Sequence, residues 1–326
     1  MKPIRLLNLG LIPPWKTQAI YHMLAERMSS EESDTIIICR PDTPYLCLGY
    51  HQVFESVFDS NECARRGLSV FRRRLGGGAT YLDQNQLFYQ CIFHHTRMPL
   101  MIADIYSLAL AAPVSTLQQI GLNAELRETN ELEVDGKRVA GTGGGRIDEA
   151  CVVVGNLLFD FDFEAMTSVW RTPSSAFREL AKAALRQRIT TLKELKPQLQ
   201  SEHVADLLVQ SFTKSFERPL QPDILTDEEL SAAQDTAKEL SSTEFLSLHK
   251  KETVEPMRSL KISARAFIHA DEAKMKGYRI RGSFWVSNNV VQTAKLESEP
   301  TGEWQLTEEK LQGIPYKEWQ EQIHVH

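Results

Sequence analysis

Residues 71–90, FRRRLGGGATYLDQNQLFYQ, constrain this chain more than any other stretch, because three arginines empty into three consecutive glycines and then into an apolar, strand-like segment. Gly76, Gly77 and Gly78 carry no Cβ, so the backbone can take positive φ and approach a bound group closely, with successive N–H donors converging on an anion. Arg72, Arg73 and Arg74 add fixed positive charge and planar donors suited to carboxylate or phosphate oxygens. The stretch reads as a cradle for an anionic ligand, and a glycine hairpin flanked by solvated arginines is the alternative. A second glycine-rich stretch, NELEVDGKRVAGTGGGR at 130–146, favours the cradle. It places Lys137 in a strand–turn–strand setting just after Asp135-Gly136, a pair favoured in hairpin turns.

Around these two stretches the pattern is that of an α+β protein. A strand is expected at about 4–11, then a helix with Thr17 as a possible cap and Ile20, Met23, Leu24 and Met28 at three–four spacing. SDTIIICR and PYLCLGYHQ read as strands buried on both sides. A polar helix at 57–66 leads into the cradle, 87–94 is a further strand, and 100–120 is a helical pattern broken late by Pro113. GTGGGR at 141–146 is expected as a loop, followed by a buried strand and its continuation through ACVVVGNLLFDFDFEAM, with helices near 174–187 and 203–216. GTGGGR lacks the last glycine of GxGxxG and the Gly-Lys-Ser/Thr of a P-loop.

The composition shifts near residue 217, where ERPLQPD forms a proline-bearing linker and Thr226 to Glu229 form a capping-box pattern before a polar helix. The expected organisation is a catalytic domain at 1–217, a linker helix at 218–244 and a small accessory domain at 245–326, with a strand pair turning at Asn288-Asn289 and a final helix. A net charge of -6 argues against a general nucleic-acid binder. The five cysteines (Cys39, Cys47, Cys63, Cys91, Cys151) lack CxxC spacing and mostly sit in apolar runs, as reduced cytoplasmic core residues do. The longest apolar region is interrupted by Asp104 and Pro113, so no membrane span is expected. His94-His95 and His324-Val325-His326 lack zinc-site spacing.

The two glycine stretches resemble the lipoate-protein ligase family, within the larger biotin and lipoate protein ligase group. The family's first motif, two arginines, two variable residues, GGGA, two more and His-Asp, stands here as Arg72 to Asp83, with Leu82 in place of the histidine. Its second, Asn-Asp-Ile, a spacer and Gly-Lys-Lys-Ile-(Ser/Ala)-Gly, stands as Asn130, Glu131, Leu132, then Gly136 to Gly141. LGYHQ at 48–52 is similar to the family's Gly-x-x-Gln, and RQRITTLKEL at 186–195 to its Arg-x-x-(Val/Ile)-Thr-x-Leu. Gly155 and Asn156 align with the segment that walls the acyl pocket, where Val154 replaces a histidine. YLDQNQLFYQ is similar to the branch serving lipoate-binding proteins of sulfur oxidation.

The resemblance implies a large domain of mixed and antiparallel sheets flanked by helices, plus a small α+β accessory domain. It implies ATP, Mg2+ and lipoate, and a lipoyl-domain carrier: a lipoate-binding protein, a glycine cleavage H protein or a 2-oxoacid dehydrogenase E2 domain. Lys137 takes the place of the essential lysine, touching the carboxylate and the α-phosphate. Arg72, Arg73, Gly76, Gly77, Gly78, Ala79, Asp83, Asn130, Glu131, Gly141, Thr142, Gly155 and Asn156 take ligand-binding places, and Glu131 that of the metal ligand. A cysteine-dependent octanoyl or lipoyl transferase and a non-catalytic lipoate-binding relative remain as alternatives. The stretch before Lys137 holds no cysteine, which weighs against the former.

Overall fold

Alternation of apolar side chains along four long strands decides the architecture, because side chains two apart share a sheet face. In the computed structural model, which describes residues 2–323, the first half runs β1 (Ile4–Ile12), α1 (Pro14–Glu26), β2 (Thr35–Pro41), β3 (Tyr45–Leu48), α2 (Phe54–Val57), α3 (Ser60–Arg65), β4 (Ser69–Arg72), β5 (Thr80–Leu82), β6 (Gln86–His94) and α4 (Ile102–Gln119). Next come β7 (Ala124–Arg127), β8 (Glu131–Val134), β9 (Lys137–Arg138), β10 (Ala140–Ile147), β11 (Ala150–Leu158), α5 (Phe163–Ser168), α6 (Ser175–Arg188), α7 (Leu192–Leu195), α8 (Ser201–Ser215) and β12 (Leu220–Pro222). The chain closes with α9 (Asp227–Leu240), α10 (Thr243–Leu246), the strands β13 (Ser259–Ser263), β14 (Ala266–Met275), β15 (Tyr278–Ser287) and β16 (Val290–Glu299), and α11 (Gln305–Leu311).

Two units result. The first holds the chain up to Phe54, Ala64–Phe161 and Ile189–His249; the second holds Glu55–Cys63, Asp162–Arg188 and the chain from Lys250 onward. In the first, a six-stranded mixed sheet has the order β10-β11-β6-β2-β1-β12, antiparallel from β10 to β2 and parallel beyond. Ile36, Ile38, Tyr89, Cys91, Phe93, Cys151 and Val153 pack on one face with α4 and α8. Ile37, Cys39, Phe88, Ile92, Ala150 and Val152 pack on the other with α1 and α9. Two three-stranded sheets, β4-β3-β5 and β7-β8-β9, carry the two glycine motifs. The second unit is a four-stranded antiparallel sheet, β13-β14-β15-β16, with α11, Phe284, Trp304 and Trp319 in its core. Its Ser283 hydroxyl meets Ser174, at the start of α6, at 3.1 Å. The whole is an α+β protein.

Several expectations need correction. The first helix begins at Pro14 with Pro13 as its cap. Thr17 is an interior residue whose hydroxyl donates to Pro14 O and meets Tyr45 Oη, each at 2.7 Å. Helix α4 runs unbroken through Pro113, which is buried, so core packing offsets the roughly 3 kcal/mol that an interior proline costs. GTGGGR is a strand, because all of β10 is in register with β11. The FDFDF alternation after Leu158 is no strand: Asp162 accepts the Ala165 N–H at 2.8 Å and starts α5. The capping box Thr226–Glu229 is as expected, and so is the turn at Asn288-Asn289, where both asparagines have positive φ. The terminal His324-Val325-His326 lies outside the described residues. Among the described residues no helix is long and apolar enough to cross a membrane.

Candidate active site

The glycine loop is shaped by the arginine before it. Arg73 folds back so that its guanidinium donates to Gly76 O at 2.7 Å and Gly78 O at 2.8 Å. A trans peptide directs its N–H opposite to its C=O, so the N–H groups of Gly77 and Ala79 point away from Arg73, on a loop whose three glycines are exposed. Gly77 has φ +95°, a region that favours glycine. Packing fixes the loop from beneath: a Cβ on Gly49 would lie 2.0 Å from Gly77 O. Gly49 in turn donates its N–H to the Gln52 side chain at 2.9 Å, which explains the pairing of glycine and glutamine in LGYHQ.

Arg72, expected at the ligand, is fully buried. Its guanidinium donates to the main-chain oxygens of Gly49 (3.2 Å), Tyr50 (2.6 Å), Gln52 (2.7 Å), Phe245 (2.7 Å) and Leu246 (2.5 Å). It is a clamp behind the cradle, because these five bonds tie two separate segments of main chain together. Arg74 pairs with Glu26 at 2.9 Å and Glu239 at 2.7 Å. Asp83 is buried and accepts the Asn85 N–H at 2.9 Å, closing the turn into β6. Leu82 is buried in the core shared with α1.

The second motif centres on the turn before Lys137, where Asp135 (φ 50°) and Gly136 (φ 79°) form the expected tight hairpin. Lys137 is exposed at the start of β9, and its ammonium has no hydrogen-bond or ion-pair partner among the described residues. Beside it, Arg138 pairs with Glu131 at 3.0 Å, and the Arg138 carbonyl accepts the Thr190 N–H at 2.9 Å. Thr191 and Glu194 close a capping box, so the RQRITTLKEL segment holds β9 in place. Asn130 accepts from the Thr142 hydroxyl through its carbonyl, which ties β10 to the turn before β8.

Strand β10 brings the two motifs together. A Cβ on Gly145 would sit 3.2 Å from Leu75, the residue before the glycine loop, and one on Gly144 would sit 3.1 Å from the Tyr106 hydroxyl. At its other end Gly141 leaves room for Asn156, whose amide donates to Gln86. Gly155 makes space for the Tyr89 hydroxyl, which would lie 2.2 Å from a Cβ there. Gly155 and Asn156, expected at an acyl-pocket wall, are thus set by packing against Tyr89 and Gln86. Tyr106, Gln86 and Thr190 were missed as site-forming residues, because each acts through a partner distant in sequence.

Glu131 does not make a magnesium site by itself. Its carboxylate is engaged by Arg138, and among the described residues it is not grouped with two further His, Cys, Asp or Glu side chains in ligating reach. Magnesium usually rests on one or two carboxylates, with phosphate oxygens and water completing its shell, so Glu131 would hold it only together with a bound nucleotide.

His22 supports the cradle from α1. Its Nδ1 donates to Gln18 O at 2.6 Å, and its Nε2 accepts the Arg74 N–H at 3.0 Å. Burial, followed by the nearby Arg74 and Arg73, lowers its pKa to about 3 against the pull of the Gln18 bond. The unfolded chain therefore binds a proton that the fold excludes. Stability from His22 is full above the ordinary value near 6.5 and is lost as pH falls from there towards 3, by up to about 1.4 kcal/mol per pH unit. Urea midpoints of wild type and His22→Gln between pH 7 and pH 4 check this: the variant is expected to show the shallower acid dependence, and parallel curves would contradict it.

One of the five cysteines touches this arrangement: Cys47 Sγ accepts from Arg73 Nη1 at 3.6 Å. All five are buried, none more than 9% exposed. Burial pushes the thiols of Cys39, Cys47, Cys91 and Cys151 up, and that of Cys63 to about 11.

The family model described as lipoyl protein ligase A/B catalytic domain matches residues 13–213, well over half of the chain. The octanoyltransferase LipM of Brevibacillus brevis is 26% identical over 235 residues, which is 64% of this chain and 85% of LipM. A chain of the bi-partite lipoate protein ligase of Thermoplasma acidophilum, described with its E2 lipoyl domain, has a TM-score of 0.69 at 23% identity, covering 78% of this chain and all of that one. A lipoate-protein ligase A bound with ATP has a TM-score of 0.64 at 21% identity, covering 76% of this chain and all of that one.

Proposed function

Because the chain belongs to the lipoyl protein ligase A/B catalytic domain family, we propose that it is an ATP-dependent lipoate-protein ligase. It joins lipoate, or octanoate, to AMP and passes the acyl group to a lysine of a lipoyl-domain carrier. The observation that carries the choice is the contrast between its nucleophiles and its cation. A thioester-forming transferase needs an accessible thiol that ionises easily. This chain offers five buried cysteines and, at the family's lysine position, an exposed Lys137 that has no partner among the described residues.

Activation brings two anions together, the acyl carboxylate and the α-phosphate. A carboxylate oxygen attacks the α-phosphorus and pyrophosphate leaves. Lys137 offsets the mutual repulsion and the charge growing on the phosphoryl oxygens, while the outward N–H groups of Gly77 and Ala79 receive phosphate oxygens. The carrier amine then attacks the acyl carbon, AMP departs, and the amine loses its extra proton to solvent. The ATP-bound relative and the bi-partite ligase with its lipoyl domain support ATP and a lipoyl carrier as the substrates.

LipM, the octanoyltransferase relative, favours a second reading, in which an octanoyl group moves between carriers without ATP. The two separate in one experiment. Purified protein is given unmodified carriers of three kinds (a lipoate-binding protein, an H protein and an E2 domain), either with lipoate and magnesium-ATP or with an octanoylated carrier and no ATP. The ligase gains carrier mass only in the first arm, and service to sulfur oxidation shows as preference for the lipoate-binding protein. Cys151→Ser is expected to leave that transfer within about twofold of wild type, since its thiol is buried in β11. Abolished transfer in a folded Cys151→Ser protein, or a thioester trapped on Cys151, would establish the transferase instead.

A further inference from the structure

The structure brings together two histidines and a carboxylate that neither glycine motif uses. We propose that His94, His95 and Glu149 form a binding site for a divalent transition metal of the zinc class. His95 Nδ1 lies 3.1 Å from Glu149 Oε2, His94 Nε2 lies 3.7 Å from the same oxygen, and one ligand atom from each residue falls within 4.8 Å of the others. Zinc bonds to imidazole nitrogen and carboxylate oxygen of about 2.0–2.2 Å set neighbouring tetrahedral ligands roughly 3.3–3.6 Å apart, so small side-chain rotations complete the geometry. Among the described residues this is the one group of three such side chains in ligating reach.

Neighbouring contacts orient the ligands. His94 is buried, its Nδ1 faces the Thr96 hydroxyl at 2.8 Å, and its Nε2 is left towards Glu149. The same Nδ1 accepts the Thr96 N–H at 3.4 Å, and the two Thr96 contacts fix the plane of the ring. The His94 N–H is held by Asp34 at 3.0 Å, and Asp34 is itself buried and paired with Arg218 at 2.5 Å. The His95 N–H donates to the Glu149 carbonyl at 2.9 Å, which locks the β10–β11 turn against the end of β6.

A cation already borders the cluster. Arg146 Nη2 is 3.3 Å from His95 Nδ1 and 3.5 Å from Glu149 Oε1, on a side chain 56% exposed and held through its Nε to Asp148 O. Metal binding displaces this guanidinium to solvent and frees His95 Nδ1 from the Glu149 carbonyl, 3.1 Å away. The site joins residues 54 or 55 apart in sequence, which is why the vicinal histidines alone show no metal-site spacing. Bound metal clamps the β10–β11 turn to β6, independently of the acyl chemistry.

The test is calorimetric titration of the metal-stripped full chain with zinc chloride, with cobalt(II) absorption as a second readout. One equivalent is expected in wild type, with a rise in melting temperature. His95→Ala and Glu149→Gln each weaken binding at least tenfold, Arg146→Gln tightens it, and magnesium gives no saturable binding. Glu149 and Arg146 are both exposed, so if His95→Ala fails to fold these two variants decide the matter by moving affinity in opposite directions. No saturable equivalent, an equivalent unchanged in Glu149→Gln, or one abolished by His324→Ala/His326→Ala would each overturn the proposal.

Discussion

Lys137→Ala is expected to fold like wild type and to lose acyl-adenylate formation by about 10²–10³-fold, the effect of removing one donor to a developing phosphoryl or acyl oxyanion. Folding is spared because Lys137 is exposed and unpartnered among the described residues, and substitutions of that kind usually stay within about 0.5 kcal/mol. Lipoate-dependent release of pyrophosphate checks the first half and a urea melt the second. Lys137→Arg keeps the charge but moves it onto a planar fork, so it is expected to recover little. Release in Lys137→Ala within about tenfold of wild type, a barrier change of only about 1.4 kcal/mol, would remove this lysine from the reaction.

Arg72→Ala is expected to have the largest effect on stability. It leaves the main-chain oxygens of Gly49, Tyr50, Gln52, Phe245 and Leu246 without the donors they now share, and hydrogen bonds to a charged group contribute about 1.5–3 kcal/mol each, though not additively. A loss of roughly 3–5 kcal/mol follows, about 10 °C in melting temperature for a unit of this size. Arg72→Lys is expected to fare almost as badly, because one ammonium cannot reach carbonyls on two separate segments. A melting temperature within about 2 °C of wild type would mean that the clamp is dispensable. The same bonds bear on any truncation: ending the chain near Arg218 removes Phe245 and Leu246, and with them Ala233, Ala237 and Leu240 of α9, which lie in the core of the first unit.

The local grammar of the site was legible because it depends on backbone chemistry. Asp135-Gly136 demands positive φ, the glycine run supplies it at Gly77, and Thr226 with Glu229 demands a helix start; each stands where the residues require it. What escaped was set by partners remote in sequence. Arg72 and Arg73 look alike as charges. Five carbonyls, two of them more than 170 residues away, make the first a buried clamp, whereas the second binds its own loop. GTGGGR reads as a loop by composition, yet β11 pairs with it along its whole length, and its bare faces are filled by Leu75, Tyr106 and Asn156. Residues 162–188 gave no sign that they pack with the C-terminal sheet, since nothing in a helical pattern names the surface it covers.

Activation of a free carboxylic acid by ATP is the step that sets the proposed ligase apart from a transferase. Exchange of labelled pyrophosphate into ATP, with lipoate and magnesium present and no carrier, isolates that step. Exchange is expected to depend on lipoate, to be absent with acyl carrier alone and to be lost in Lys137→Ala. Exchange at background level, from a preparation that nonetheless moves octanoyl groups between carriers without ATP, would contradict the ligase assignment.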